Sequence, residues 1–274
     1  MKHVGRIYMA IIFGIMYFPL CIMVLFSFNS SVSTSSFKGF SLHWYEELFY
    51  NVDAMEALKN SLILAVCTTI IATLLGTIAA VGIYNLRRKW VKNSILSVTN
   101  IPMMSPEIVT GVSLMLLFAF VGKLFSAKES LGFATMLLAH VTFCLPYVVL
   151  NVLPKLNQTD PHLSEAAQDL GNTPFQAFMK VILPSISPGI VSGAIMAFTL
   201  SIDDFVISNF TSGGFVTLPI YIYSKTKKFV KPDMYALCSL MLVLVLLLIM
   251  NVSSDKQVAK EKNVSKRKKT KIKG

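Results

Sequence analysis

The chain has 274 residues, of which 54% are hydrophobic and 14% are charged, and its mean hydropathy is +0.63. These values exclude most classes of soluble globular protein and favour a membrane protein. The formal net charge is +11 at pH 7, and the placement of the excess lysine and arginine residues bears on how the chain lies in the membrane.

Six apolar blocks predict six membrane-spanning helices. A helix needs about 20 apolar residues to cross a hydrocarbon core of roughly 30 Å. The predicted spans are Ile7 to Phe28, Leu62 to Tyr84, Ile95 to Val121, Leu131 to Val152, Ile186 to Phe210 and Tyr235 to Val252.

Two of the predicted spans contain acidic residues, which a lipid-embedded helix disfavours. The third contains Pro102, Pro106 and Glu107, so we expect it to be kinked or broken, because proline removes backbone hydrogen bonds. The fifth carries Asp203 and Asp204, and an ionised aspartate at the centre of such a helix costs about 2.5 to 3.5 kcal/mol. Either these acids take part in the function of the protein, or they have a structural role, as a helix cap or in an interhelical hydrogen bond near the outer end of the span.

The distribution of basic residues predicts the orientation of the chain. Lys2 and Arg6 precede the first span, four basic residues lie at 87–92 after the second, and many more lie at 256–273. The positive-inside rule therefore predicts that both termini and the segment 160–184 are cytoplasmic. The lysines at 225–231 lie on the predicted outer side, contrary to this rule, and their role stays open.

The cysteines predict neither a disulfide nor a metal site. Cys21, Cys67, Cys144 and Cys238 all lie within predicted spans and form no spaced pair, so we interpret them as core thiols.

The polar segment 160–184 predicts two short helices joined by a turn. Asp160 can cap the first helix with Pro161 at its first position, and Gly171 can end that helix in the left-handed conformation. The predicted apolar face of this helix comprises Leu163, Ala166, Ala167 and Leu170, with Glu165 and Asp169 on another face.

The second short helix has a capping-box signature. Thr173 is followed by Pro174 and, three residues on from the threonine, by Gln176. We expect Pro184 to end this helix before the fifth span. From spacing alone, a capped helical hairpin covering the inner end of its own bundle is also a consistent interpretation.

The same segment resembles a known family. Its pattern is Glu165, Ala166 and Ala167, three residues, Gly171, nine residues, then Val181, Ile182, Leu183 and Pro184. This is similar to the EAA loop of ABC importer permeases, summarised as EAA, x3, G, x9, I-x-L-P, with valine in place of the usual isoleucine. The resemblance implies a coupling helix that docks on a cytoplasmic ATPase through Glu165, Ala166, Ala167, Asp169, Gly171, Leu183 and Pro184.

Three further stretches narrow the resemblance. The stretches HVTFCLPYVV (residues 140–149), MMSPEIV (103–109) and FTLSIDDFVISNF (198–210) resemble the spermidine/putrescine permeases of the PotC type. The resemblance implies an all-α membrane protein with the six-helix, type I ABC importer permease (MetI-like) fold, in a bacterial plasma membrane. The implied partners are a homologous second permease, two copies of the ATPase, an extracytoplasmic polyamine-binding protein and membrane lipid, but no nucleic acid.

The expected organisation follows from the spans and the loop. Residues 1–57 form the first span and an extracytoplasmic loop, residues 58–252 form the transmembrane core with the coupling loop at 160–184, and residues 253–274 form a basic cytoplasmic tail. The sequence has no GxxxxGKS or GxxxxGKT phosphate loop. We therefore expect no cofactor in this chain, with ATP and Mg bound by the partner.

The candidate substrate path comprises Asp204, Asp203, Glu107, Tyr147 and Phe205. Polyamine amines stay charged near neutral pH, so carboxylates can replace part of their hydration and aromatic rings can add cation–π attraction. Neighbouring residues on a helix point about 100° apart, so Asp203 and Asp204 cannot face one path equally. Which carboxylate contacts substrate, and whether spermidine or putrescine is preferred, stay open. For His140, hydrogen-bonded packing is favoured over proton relay.

Three alternatives were weighed against this interpretation. An intramembrane aspartyl protease needs two facing carboxylates, which adjacent aspartates on one helix do not provide. An autonomous channel or secondary carrier often has internal repeats, and the sequence has none that we detect. A related permease for another cation, such as ferric iron, is the nearest alternative, because few residues select the substrate.

Overall fold

The computed structural model describes residues 2–31, 36–125, 131–227, 232–247 and 250. These residues form helices, and the one β pairing among them is an isolated bridge between Asn29 and Phe40. A π-helical turn, Phe178–Ile182, lies between α8 and α9. The helices are α1 (Lys2–Ser27), α2 (His43–Tyr50), α3 (Val52–Asn85), α4 (Lys89–Met104), α5 (Glu107–Leu124), α6 (Phe133–Gln158), α7 (Leu163–Asp169), α8 (Pro174–Ala177), α9 (Leu183–Asp203), α10 (Val206–Thr211), α11 (Leu218–Thr226) and α12 (Pro232–Leu247).

Five helical segments of the described residues are long and apolar enough to cross a membrane. They are Gly5–Ser27, Val52–Asn85, Glu107–Leu124, Phe133–Gln158 and Pro174–Asp203. The apolar helix α12 is shorter, and the end of the predicted sixth span lies outside the described residues, so the sixth span stays a prediction. Lys228, Lys231 and the basic tail at 253–274 also lie outside the described residues.

The predicted third span is broken, as its prolines indicate. Helix α4 ends at Met104, Ser105 is extended with φ −79° and ψ 142°, and α5 begins at Glu107 after Pro106. A proline disfavours the helical conformation of the residue before it, which places the break at Ser105.

The prediction of a continuous fifth span from Ile186 to Phe210 is wrong. Helix α9 ends at Asp203, Asp204 has the extended angles φ −66° and ψ 121°, and α10 begins at Val206. Aspartate side chains compete with the helix for backbone donors. The structure therefore replaces one long helix by two, with the acidic pair at the junction.

The chain divides into two compact units, and residues 57–220 form the larger one. Its centre is α6, which packs along α9 and carries a run of buried side chains. Gly193 on α9 would place a Cβ 3.2 Å from the Cα of Val148, and Gly76 on α3 would place one 2.7 Å from the Cβ of the same valine. Small residues therefore bring both helices close to α6, as is common between membrane helices.

The other unit comprises residues 1–56 and 221–274, as far as they are described. Within it, the Trp44 indole N–H donates to the carbonyl of Asn29 at 2.6 Å. The Tyr45 hydroxyl lies 2.8 Å from the hydroxyl of Ser27 at the end of α1 and 2.7 Å from that of Ser239 on α12. These bonds hold the short helix α2 to the end of α1 and to the middle of α12.

The contact at Gly76 generates a stability prediction. Gly76→Val forces a side chain against Val148 and should destabilise the protein by about 1 to 3 kcal/mol. Gly82→Val is the matched control on the same helix, because a Cβ there meets nothing within 4 Å. Thermal unfolding of the purified proteins in lipid nanodiscs measures the difference, and equal midpoints for the two variants would contradict the close packing.

Candidate functional sites

The segment 160–184 forms a compact helical turn, as the sequence predicts in outline. The carboxylate of Asp160 accepts the amide of His162 at 2.9 Å, but α7 begins only at Leu163, two residues later than Pro161 indicates. Gly171 has φ +84°, which confirms the left-handed exit from the helix.

The second part of the segment has the predicted capping box. Thr173 accepts the amide of Gln176 at 3.3 Å, and the Gln176 side chain accepts the amide of Thr173 at 3.3 Å. Asn172, which the sequence did not single out, donates its side-chain amide to the carbonyl of Ala167 at 3.0 Å and its backbone amide to the same oxygen at 3.2 Å. These bonds fix the turn between α7 and α8.

The expectation that Pro184 ends the second helix is wrong. The helical path continues from Pro174 to Asp203 through the π-helical turn, in which the amide of Leu183 donates to the carbonyl of Phe178, five residues earlier. A widened turn relieves the mismatch that proline introduces in an α-helix, which has four-residue spacing. The segment 160–184 is therefore continuous with a membrane helix.

The predicted apolar face of α7 divides in the structure. Ala167 is 6% exposed, whereas Leu163 and Leu170 are 38% and 84% exposed. Phe175 and Met179 on the next turns are also exposed, at 70% and 45%. The alanine therefore packs inward, and the larger apolar side chains stay exposed. We call Leu163, Leu170, Phe175 and Met179 the coupling surface.

The remaining coupling candidates lie on or beside this surface. The exposed Glu165 carboxylate lies 3.0 Å from Nδ1 of His162. Ala166, Asp169 and Pro184 are exposed, whereas Leu183 is half-buried. All of the coupling candidates thus belong to one continuous segment.

A second group of candidates meets near the two helix breaks. Glu107 lies in the first turn of α5 and Asp203 is the last residue of α9, and both are exposed. Glu107 interacts electrostatically with Asp203 and with Tyr147. None of the ion pairs in the described part of the chain involves Glu107 or Asp203. We call Glu107, Asp203 and Tyr147 the acidic cluster.

The aromatic candidates flank this cluster. The Tyr147 ring on α6 is half-buried and stands edge-on to the ring of Phe143, with 5.6 Å between centroids. Phe205 is half-buried in the junction between α9 and α10. Cation–π attraction needs a ring face near the charge, and Tyr147 interacts electrostatically with Glu107 of the acidic cluster.

Asp204 has surroundings unlike those of Asp203. Its side chain is 4% exposed, and its carboxylate accepts the backbone amides of Ile207 at 3.3 Å and Ser208 at 2.8 Å. These are first-turn amides of α10, which have no partner within the helix. The adjacent acids therefore divide into one exposed carboxylate and one that caps a helix.

His140 is fully bonded, as the packing interpretation predicts. Its Nδ1 lies 2.8 Å from the Ser201 hydroxyl, and its Nε2 lies 2.9 Å from the Ser208 hydroxyl and 3.4 Å from the Asp204 carboxylate. Sequence inspection missed both serines, because their pairing with His140 depends on the break after Asp203.

The sequence matches one protein family over residues 72–259. The family is described as the binding-protein-dependent transport system inner membrane component. Among curated relatives, the spermidine/putrescine transport system permease protein PotC of Haemophilus influenzae is 41% identical over 243 residues, which cover 88% of this chain and 92% of that protein. The putrescine transport system permease protein PotI of Escherichia coli K12 is 40% identical over 231 residues, covering 84% and 82%.

Solved structures share the fold. A bacterial ABC transporter involved in the import of the acidic polysaccharide alginate superposes with a TM-score of 0.74 at 13% identity, covering 93% of this chain and 94% of that one. The MetNI methionine ABC transporter gives a TM-score of 0.62 at 18% identity, covering 78% and 98%. These likenesses confirm the expected all-α, type I importer permease fold.

The contact between His162 and Glu165 generates a pH prediction. Hydrogen bonding to the Glu165 carboxylate, with smaller charge effects of Glu165 and Asp160, raises the pKa of His162 above its ordinary value. Because this pKa is raised, the pair stabilises α7 below the ordinary pKa of about 6.5 and loses its effect as the pH rises through the raised pKa.

Glu165→Gln should therefore lower the pKa of His162, and Asp169→Asn on the same helix should leave it unchanged. The measurement is the rate of diethyl pyrocarbonate modification of His162, followed by mass spectrometry between about pH 5 and 8. If the pH midpoint of His162 modification were the same in the native protein and in Glu165→Gln, hydrogen bonding to Glu165 would not be the cause of the raised pKa.

Proposed function

Because this chain belongs to the family of binding-protein-dependent transport system inner membrane components, we propose that it is the permease subunit of an ATP-driven importer of polyamines. Membership makes it a membrane subunit of a transporter and not an enzyme. The relatives described above are named as permeases for spermidine and putrescine, and their similarity extends over most of the chain. The single observation that carries the proposed substrate is this similarity, which favours polyamines over another cation such as ferric iron.

The acidic cluster supports a cationic substrate. Glu107 and Asp203 are exposed, interact with each other electrostatically and have no lysine or arginine in ion-pair contact within the described residues. Two neighbouring carboxylates without a basic partner repel each other, and a polyamine would relieve that repulsion with ammonium groups that resemble lysine in titration. Tyr147 would add a ring face beside them.

The two aspartates take different parts in this proposal. Asp203 is exposed and would contact the passing amine, whereas the buried Asp204 caps α10 and would shape the path from behind. Phe205 follows the two aspartates in sequence and comes directly before α10. It would line the path at the junction. A few acids suffice, because transport needs a site that releases its substrate readily, and high affinity can reside in the binding protein.

The coupling surface supports docking on a cytoplasmic ATPase. Leu170 and Phe175 expose most of their apolar area to water on a segment whose turns are capped and rigid, and exposed apolar groups on a polar segment are typical of protein interfaces. The segment continues directly into α9, so a movement of the ATPase would reach the acid-bearing end of that helix. ATP and Mg would be bound by the partner, because this sequence has no phosphate loop.

The proposed assembly contains this chain, a homologous second permease, two ATPase subunits and an extracytoplasmic polyamine-binding protein. The coupling segments would follow the ATPase subunits as these close and reopen, so that the permease pair alternates between inward-open and outward-open states. The proposal includes six spans with both termini cytoplasmic, as the basic residues near each end favour.

The test of the function is reconstitution of the assembly in proteoliposomes. Spermidine and putrescine should accumulate only with ATP, the ATPase and the binding protein present, and ferric iron should not accumulate. Accumulation by the permease without the ATPase would refute the proposed importer, and ATP-driven uptake of ferric iron alone would refute the substrate.

Substitution of the exposed acid gives a direct prediction. Asp203→Asn should lower polyamine uptake about tenfold or more, because a charged hydrogen bond to the amine is worth about 1.5 to 3 kcal/mol. Asp53→Asn removes an exposed carboxylate near the start of α3. It should change uptake by less than about fivefold, because interactions of exposed charges are worth about 0 to 1 kcal/mol. Equal uptake by the two variants, at equal amounts of assembled complex, would remove Asp203 from the path.

The coupling surface gives a second prediction. Leu170→Glu should weaken ATPase association and abolish most uptake, because it places a charge at an 84% exposed apolar position that would be desolvated on docking. Leu170→Met should retain association, because it keeps an apolar side chain of similar volume. Co-purification of the ATPase with each variant measures the effect, and full association of the Glu variant would show that the coupling surface is not the docking site.

A further inference from the structure

His140 connects the two helices that meet at the acidic pair. On one side it bonds Ser201 in the last turn of α9, and on the other it bonds Ser208 on α10 and lies against Asp204 between them, at 2.8, 2.9 and 3.4 Å. The imidazole is 1% exposed. One side chain of α6 therefore reaches both sides of the break.

The bonds of this network follow from the chemistry of the groups. When Asp204 is ionised, its carboxylate only accepts hydrogen bonds, so the Ser208 hydroxyl, which bonds Asp204, donates to it. The Ser208 oxygen is then left to accept from Nε2–H of His140, and Nδ1 of the neutral ring accepts from the Ser201 hydroxyl. Every polar group in the network has a partner, and all the bonds run in one direction from α9 to Asp204.

The junction is held by packing as well as by hydrogen bonds, because α10 lies against α5 and α6. Asp204 and Phe205 lie outside both helices, and each residue contributes two soft backbone dihedrals. The Asp204 carboxylate caps α10 but makes no hydrogen bond to the last turn of α9. The imidazole, in contrast, bonds a side chain in the last turn of α9 and one in the first turn of α10.

We propose that His140 is a positioning residue that sets the angle between α9 and α10 and thereby holds Asp203 beside Glu107. It does not contact substrate. The effect of His140 on transport rests on the proposed function, because the acidic cluster is part of a substrate path only if that function is correct. The effect of His140 on the geometry of the junction does not rest on the proposed function. The two effects can therefore be tested separately.

Two polar substitutions at His140 test its contacts separately, because each can replace only one of the two ring nitrogens. His140→Gln places an amide near the position of Nε2 and can keep the bond to Ser208. His140→Asn reaches only as far as Nδ1 and loses that bond. Because α9 already packs along α6, the bond from residue 140 to Ser208 decides how α10 is held relative to α9. We therefore expect His140→Gln to retain the geometry of the junction and His140→Asn to lose it, although both leave the site polar.

Cross-linking in the complete transporter measures the geometry. The four native cysteines are replaced by alanine, cysteines are placed at Glu107 and Asp203, and bifunctional methanethiosulfonates of graded length are applied in lipid nanodiscs. With histidine at 140, one reagent length should dominate. His140→Asn should slow cross-linking by that reagent about tenfold, as the loss of one buried hydrogen bond worth about 1.4 kcal/mol predicts, and His140→Gln should stay within about threefold.

A second cysteine pair controls for general loosening. Thr159 on the end of α6 and Ser185 on the start of α9 have hydroxyls 3.5 Å apart, so cysteines there join the same two helices away from the break. Their cross-linking should be equal in all three backgrounds. Equal rates at the Glu107 and Asp203 pair in all three backgrounds would overturn the proposal, as would parallel loss at both pairs, which indicates a role in stability only.

A variant that retains His140 covers the case in which substitution of the histidine prevents assembly. Combined Ser201→Ala and Ser208→Ala substitutions remove its partners on both helices, and they should slow cross-linking at the acidic cluster as His140→Asn does. An unchanged rate there would also overturn the proposal.

Transport is measured in parallel with native acids and cysteines. Uptake per ATP hydrolysed should fall about tenfold for His140→Asn and should be largely restored by His140→Gln. If cross-linking depends on His140 but no variant of the chain takes up polyamines, the positioning role stands and the proposed function fails. If polyamine uptake occurs but cross-linking is independent of His140, the positioning role fails and the proposed function stands.

Discussion

The backbone groups at the end of a membrane helix need hydrogen-bond partners, and this constraint accounts for the arrangement around the acidic pair. Where α9 stops at Asp203 and α10 begins at Val206, first-turn amides have no helical acceptor, and lipid offers none. Asp204 supplies the acceptor, His140 joins the two sides, and both are buried within the larger unit. The break is therefore stable only because protein groups, and not lipid, surround it.

The same constraint is met differently in the segment 160–184, which the sequence predicts to lie outside the membrane. There the turns are closed by local polar groups: Asp160, Asn172 and the Thr173 with Gln176 pair bond nearby backbone atoms. Because the polar groups of the turn are satisfied internally, the larger apolar side chains can remain on the outside without loosening it. A rigid segment with exposed apolar groups, continuous with α9, can transmit a push along the helix better than a flexible loop can.

Local chemistry made much of this predictable from the sequence. Gly171 and the capping box at Thr173 depend on neighbouring residues only, and Pro106 broke the third span where the residue before it must be extended. The errors arise where distant groups decide. The fifth span ends at Asp203 because serines and a histidine far apart in sequence stabilise the break, and the helix passes Pro184 because a π-helical turn accommodates it. Neither compensation leaves a local pattern.

The helix breaks also bear on the electrostatics of the proposed substrate path. Glu107 lies in the first turn of α5, at the positive end of the helix dipole, which attracts negative charge. Asp203 closes α9, where the negative end of the dipole repels its own charge but attracts a cation. One carboxylate thus lies at the positive end of a helix dipole, and the other lies at the negative end of another. Broken helices whose ends face ions at a path are a recurring means of moving charge through lipid, and here the two breaks place opposite helix ends at one acidic cluster.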